Sequence, residues 1–177
     1  MGADNQQERP GEIISYISGF VDGEGCFSIT IQKSNNVKLG LQVIPEFHVS
    51  QHQNRTEVLE VIKRQLGCGY IKPNDPSNPR DMTSVYVVRN ITDLRDKVIP
   101  FFERSPLISI KRDDFKKFAH IVSLMREAAH LRKDGLIAIL KIAYSMNFSG
   151  KYRKQKFEDI ISHLESSETV RQKFTGR

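Results

Sequence analysis

Between Ile13 and Ile31 the apolar residues change period with almost no chain in between. Ile13, Ile14, Tyr16, Ile17, Phe20 and Val21 make a helix that is apolar over much of its circumference. From Phe27 the pattern alternates: Phe27, Ile29 and Ile31 point one way, and Ser28, Thr30 and Gln32 the other. Only Gly23-Glu24-Gly25-Cys26 separates the two patterns, so a buried helix over about Glu12–Asp22 must hand over directly to a strand. The junction is also odd in composition, since Gly19, Gly23 and Gly25 surround Asp22 and Glu24 with no lysine beside them. Glycine costs up to about 1 kcal/mol in a helix relative to alanine. Packing, chemistry or both must account for three of them. Ser15, Gly19 and Gly23 recur every four residues, a ridge of tiny side chains that lets another helix approach closely. That helix could come from this chain or from a second copy.

The rest of the chain reads as hairpins and helices. After a turn at Ser34–Lys38, Leu39, Leu41, Val43, Phe47 and Val49 alternate with Gln42, Glu46 and His48, and Pro45 marks a bulge or an edge. Asn54 with Glu57 resembles a capping box for a helix to Leu66, which Gly67 closes. A second hairpin joins Gly69–Lys72 to Thr83–Arg89 through a Pro/Asn/Asp loop from Pro73 to Asp81. Asn90 or Thr92 caps a helix that Pro100 ends, and Ile110 to about Arg132 forms a long amphipathic helix carrying Phe115, Phe118, Ile121, Val122 and Met125. Helical patterns follow at Leu136–Ser145, Gln155–Leu164 and Thr169–Phe174. The order αββαββα predicts an α+β fold: a four-stranded antiparallel sheet, helices on its other face, and a helical C-terminal tail. We expect residues 1–10 to be disordered and 11–177 to form one domain, with a core over about 12–132 and a tail over 133–177.

Net charge is +6, which favours a polyanionic partner without choosing DNA, RNA or a membrane surface. No stretch approaches the roughly 20 apolar residues of a membrane span, and no secretory signal is visible, so an intracellular protein is expected. Cys26 and Cys68 read as small apolar residues in a reducing compartment. His48 and His52 have the spacing of half a zinc site but lack a second pair. The polar sheet face carries groups that hydrogen-bond to base edges and phosphates, although a merely wetted face has the same composition. The basic run Lys151–Lys156 is open to the same two readings.

The stretch I17-S-G-F-V-D-G-E-G25 resembles the signature of the LAGLIDADG homing endonucleases. F47-H-V-S-Q-H-Q-N-R55, G67-C-G-Y70 and P106-L-I-S-I-K111 are similar to later family segments, in order, so the likeness covers roughly Ile14 to His130. The chain carries one such motif, which implies the homodimeric branch. Motif helices would then pair across a two-fold axis through Ser15, Ser18, Gly19, Asp22 and Gly23. By the same resemblance Glu24, where relatives carry Asp or Glu, binds the catalytic metal, with the Gly23 carbonyl as a secondary ligand. Gln51, Arg55 and Lys111 surround the scissile phosphate. Asp22 is expected instead to make a local hydrogen bond or helix-end interaction. The implied cofactor is Mg²⁺, with Mn²⁺ substituting and Ca²⁺ supporting binding without cleavage.

The implied partner is double-stranded DNA, a long pseudo-palindromic site read in adjacent major grooves. Contacts would come from Ser28, Thr30, Gln32, Gln42, His48, Lys72, Ser84 and Tyr86, with Ser34, Asn36, Lys38 and Arg80 reaching outer bases or phosphates from the loops. The implied activity is an intron-encoded type of site-specific, metal-dependent phosphodiester hydrolysis in a bacterial or archaeal cytoplasm or an organelle. Two other functions suit the same scaffold. One is an RNA maturase, which would not require Glu24, Gln51, Arg55 and Lys111 to be intact. The other is a DNA-binding regulator, which calls for an appended helix-turn-helix.

Overall fold

In a computed structural model of the chain, which describes residues 10–147, 155–162 and 164, the change of period is realised without a loop. Helix α1 (Pro10–Glu24) ends where strand β1 (Gly25–Lys33) begins. Gly25 permits this, because a Cβ there would lie 2.6 Å from Val21 Cγ1 and 2.8 Å from the Val21 carbonyl oxygen. Any larger residue would push the strand off the last helical turn.

Strand β2 (Leu41–His52), a 3-10 turn (Gln53–Arg55), α2 (Glu57–Leu66), β3 (Tyr70–Pro73) and β4 (Thr83–Val88) follow. Ile91–Asp93, a π turn over Leu94–Val98 and Ile99–Arg104 succeed one another without a break and are together called α3. Helix α4 (Lys111–Arg126), a 3-10 turn (Ala129–Leu131) and α5 (Lys133–Tyr144) complete the described elements, with residues 157–162 and 164 also helical. The order is αββαββα, and the four strands form one antiparallel sheet in the order β1-β2-β4-β3.

The described residues fall into two compact units, one within Met1–Cys26 and Phe47–Arg112 and the other within Phe27–Glu46 and Asp113–Arg177. In the first, Phe47 stands edge-on to Tyr86 and Phe102 at centroid distances of 6.1 and 5.5 Å, and Ile17, Val21, Leu59, Ile62 and Leu94 are fully buried. In the second, Phe27 packs on Phe115 and Phe118 at 5.2 and 5.4 Å, and Leu136, Ile139 and Leu140 are buried.

Several boundaries differ from expectation for identifiable reasons. The Asn54/Glu57 capping box does not form: His52 Nδ1 accepts from the Asn54 N–H at 3.2 Å, which winds Gln53–Arg55 into the 3-10 turn. Thr56 then stands at the N-cap of α2 without a side-chain cap bond. Pro100 does not end α3, which runs on to Arg104, because the wider turn at Leu94–Val98 accommodates a residue without an N–H. The long helix stops at Arg126 rather than about Arg132, since Ala128 adopts φ 55. Other local signals hold. Gly67 closes α2 at φ 62, donating its N–H to the Lys63 carbonyl at 2.9 Å, and Asn90 caps α3 by accepting from the N–H groups of Thr92 and Asp93. On the β4 side the ladder of β2 ends at Phe47↔Val88, so Pro45 stands past its end. The expectations for residues 1–9, 151–154 and Thr169–Phe174 lie outside the described residues.

Candidate active site and nucleic-acid interface

The last turn of α1 carries both acids, and the chain treats them differently. Asp22 is half-buried and bound within its own unit: Oδ1 accepts from Ser109 Oγ at 2.6 Å, and Oδ2 from the N–H groups of Ser109 and Ile108 at 2.9 and 3.2 Å. Burial pushes this carboxyl upward. The hydrogen bonds from Ser109 and Ile108, with the charge of Lys111, outweigh it and hold the group below the ordinary carboxylate value. Asp22 therefore makes the local helix-end interaction expected of it, and its carboxylate is turned to segment 108–109 rather than to a second copy. Glu24, the final residue of α1, is exposed.

Lys111, the first residue of α4, reaches back to this helix end. Its ammonium donates to the carbonyl oxygens of Val21 at 3.0 Å and Gly23 at 3.1 Å. A cation is favoured there, because the last carbonyls of a helix carry its negative dipole end. The expected catalytic cation and the expected secondary metal ligand are thus in direct contact. Gln51 lies near the end of β2 with its Oε1 accepting from the His52 N–H at 2.8 Å, and Arg55 is exposed in the following 3-10 turn. Neither makes a hydrogen bond to Glu24 or Lys111.

The small residues of α1 divide into two kinds. Ser18, expected at a helix–helix interface, is 7% exposed with its Oγ 3.0 Å from the Ser105 carbonyl oxygen and 2.8 Å from Ser105 Oγ. It faces its own unit's interior, contrary to the expectation that it meets a second helix. Ser15, Gly19 and Gly23 are exposed, and a Cβ added at Gly19 or Gly23 would meet nothing within 4 Å. Among the described residues, nothing requires glycine at those two positions.

In the first unit, register decides which strand residues face outward. Directly opposed residues share a face. Tyr86 is opposite the buried Val49, and Ser84 opposite Gln51. Tyr86 is accordingly fully buried, its hydroxyl donating to the Cys68 carbonyl at 2.9 Å, and burial drives its phenol upward. The expectation that Tyr86 contacts bases is corrected by its burial, whereas half-buried Ser84 stands beside Gln51 at the end of the same row. The opposite face carries His48, Val87 and Tyr70 in one row and Ser50, Val85 and Lys72 in the next. Ser50, Tyr70 and Thr83 belong to that face and were not anticipated, although the parity of Lys72 pointed to Tyr70. Arg80 is exposed on a loop tied by Asp81, whose Oδ2 accepts from Asn74 Nδ2 and the Asp75 N–H.

In the second unit, Ser28, Thr30 and Gln32 alternate with buried Phe27 and Ile29 as expected. Exposed Gln32 donates its amide to Gln42 Oε1 at 3.1 Å. At the hairpin tip Ser34 Oγ accepts from the Asn36 N–H, Gly40 turns the chain at φ 72, and Lys38 is exposed.

The LAGLIDADG endonuclease family model matches residues 17–122 of the chain. The probable intron-encoded endonuclease 2 of Neurospora crassa is 37% identical over 150 residues, which cover 83% of this chain and 32% of that protein. Homing endonuclease I-ApeII of Aeropyrum pernix is 28% identical over 160 residues, covering 88% of this chain and 92% of that one. Among solved structures, the archaeal intron-encoded homing endonuclease I-Vdi141I complexed with DNA has a TM-score of 0.81 at 32% identity, covering 91% of this chain and 99% of that one. The chain thus spans about a third of the fungal relative and nearly all of the two archaeal ones.

Proposed function

Because the chain belongs to the LAGLIDADG endonuclease family, we propose that it is a site-specific DNA endonuclease that works as a homodimer and hydrolyses one phosphodiester in each strand of a long pseudo-palindromic site. The observation that carries this reading is the end of α1. There an exposed carboxylate, Glu24, follows two glycines facing open space, and the Lys111 ammonium sits on the adjoining carbonyl. Two copies packed along Ser15, Gly19 and Gly23 would bring two Glu24 side chains together, and breaking a duplex requires two hydrolyses.

The donors fit a divalent cofactor. A carboxylate at Glu24 and the Gly23 carbonyl are hard oxygen ligands of the kind Mg²⁺ takes, with phosphate and water supplying the rest. Among the described residues no cluster of three or more His, Cys, Asp or Glu forms a metal-holding group, so completion by a second copy and by DNA is part of the proposal. That the Gly23 oxygen already accepts an ammonium supports a cation at this helix end. Mn²⁺ is expected to substitute, and Ca²⁺ to support binding alone. A bound metal of this class polarises the phosphate and acidifies water.

The protein's own groups would do the rest. Lys111 and Arg55 neutralise charge developing on the phosphate oxygens. Gln51 has its carbonyl oxygen engaged by His52, which leaves its NH₂ to hold a water or a phosphate oxygen. Specific contacts would come from Ser28, Thr30 and Gln32 on β1, from Gln42, His48 and Ser50 on β2, and from Tyr70 and Lys72 on β3. An RNA-maturase role is the less favoured reading, since splicing assistance does not call for Glu24, Gln51, Arg55 and Lys111 together. To test the proposal, the chain is incubated with a randomised duplex library and Mg²⁺, and cleaved ends are sequenced. One recurring, near-symmetric site supports it, and no enrichment of ends refutes it.

A further inference from the structure

We propose that Asp22 and Ser109 form a latch that positions Lys111 for the cleavage step, a role that rests on the nuclease reading above. Segment 105–110 delivers Lys111 to the end of α1, and apolar burial does little to hold its last residues. Leu107 is buried, but Ile108 is 93% exposed and Ile110 79% exposed, on either side of Ser109. What fixes this stretch is polar. Asp22 accepts from the Ser109 hydroxyl at 2.6 Å and from the N–H groups of Ser109 and Ile108 at 2.9 and 3.2 Å. Bonds to an ionised acceptor are roughly twice as strong as neutral ones.

The Ser109 oxygen also accepts the N–H of Lys111 at 3.2 Å, joining the acid to the first residue of α4. From that residue the ammonium returns to the carbonyls of Val21 and Gly23, the neighbours of Asp22 on either side. The chain of bonds is a closed circuit: Asp22 to Ser109, Ser109 to Lys111, Lys111 back to the peptide groups flanking Asp22. One helical turn earlier, Ser18 holds the start of the segment through Ser105. The segment is therefore pinned at both ends to α1, the helix that carries Glu24, and Lys111 keeps its place relative to that acid.

Asp22 and Ser109 are positioning residues, acting on the phosphate only through Lys111. The hydroxyl of Ser109 is the informative group, because α1 is independently secured by fully buried Ile17 and Val21. Displacing a reacting group by about 1 Å can cost about 100-fold in rate. Losing one of the bonds that hold Lys111 should cost part of that.

The experiment uses the full chain as parent, Ser109→Ala, Ser109→Thr, Asp22→Ala and the double alanine variant. Three readouts are taken: single-turnover cleavage of the target duplex in Mg²⁺, DNA affinity in Ca²⁺, and the Nζ resonance of Lys111 in DNA-free protein, assigned by its loss in Lys111→Arg. Ser109→Ala should slow cleavage about 10-fold with affinity held within about 2-fold, and threonine should restore most of the rate. The double variant should be no slower than Asp22→Ala, since both changes open one circuit. The Lys111 resonance should broaden or move in the alanine variants and persist with threonine. Additive losses, or a Lys111 signal unchanged in Ser109→Ala, overturn the latch. A parent that cuts no duplex refutes the nuclease reading, and the resonance then decides the latch alone.

Discussion

Replacing Gly19 with leucine separates what the chain needs from what a pair of chains needs. In the isolated chain a Cβ at position 19 meets nothing within 4 Å, and the residue lies in the middle of a 15-residue helix. Leucine is a far better helix former than glycine, so a single copy should gain up to about 1 kcal/mol. Two copies packed along the ridge behave oppositely. A large side chain forced into a close helix–helix contact costs about 1–3 kcal/mol, and symmetry doubles this to about 2–6 kcal/mol per dimer. That corresponds to a dissociation constant weaker by about 30-fold to about 10⁴-fold. Urea unfolding at nanomolar protein reads the first effect, and sedimentation equilibrium over nanomolar to micromolar protein reads the second. A parent that remains monomeric at micromolar concentration, or a leucine variant that dimerises as tightly as the parent, refutes the ridge as the interface.

Glu24→Gln should lower single-turnover cleavage by orders of magnitude while duplex affinity in Ca²⁺ holds or improves, because a neutral amide cannot offer the anionic oxygens a hard ion prefers. Asp22→Asn should fall far short of that loss, and the reverse ranking would exchange the two assignments. Alanine at Gln32 or His48 should relax sequence preference in a binding selection, whereas Tyr86→Phe should leave preference unchanged. It should instead cost about 1–3 kcal/mol in urea unfolding by stranding the Cys68 carbonyl. Altered preference in Tyr86→Phe would count against its burial. The carboxyl of Asp22 is held below its usual value when folded, so its contribution is complete above the unfolded pKa and disappears as pH falls through the folded one. Urea midpoints of the parent and Asp22→Asn should therefore converge as pH drops below about 4, and a constant gap would show that the charge contributes nothing.

Much of this architecture is legible because its determinants are local. The switch from helical spacing to alternation at Gly25, the αL stop at Gly67 and the Asn90 cap each depend on residues within a turn of one another. Where distant residues decide, sequence reading falters. Parity within β4 is visible, but its place between β2 and β3 buries both parities over Val85–Val88, and Tyr86 with them. The resemblance puts Ser18 at a helix–helix interface, whereas its partner is Ser105 of the same chain, 87 residues away. Asp22 was recognisable as a helix-end acid, yet nothing in the sequence linked it to Ser109. Pro100 misled because a π turn can absorb what an α-helix cannot. The pairing of Lys111 with the Gly23 carbonyl became evident only from the fold, since resemblance had assigned both residues without placing them in contact.

In the proposed homodimer, the exposed Glu24 at the end of the Ser15, Gly19 and Gly23 ridge would make cutting depend on dosage. A catalytic centre divided between two identical chains assembles by mass action. Well below the dissociation constant, the number of complete centres grows with the square of the number of chains, so halving synthesis would quarter the cutting capacity. A cell holding a few copies would keep its chromosomes intact, and a burst of translation would arm them together. The closeness that Gly19 and Gly23 allow between two helices would then set the copy number at which DNA begins to break.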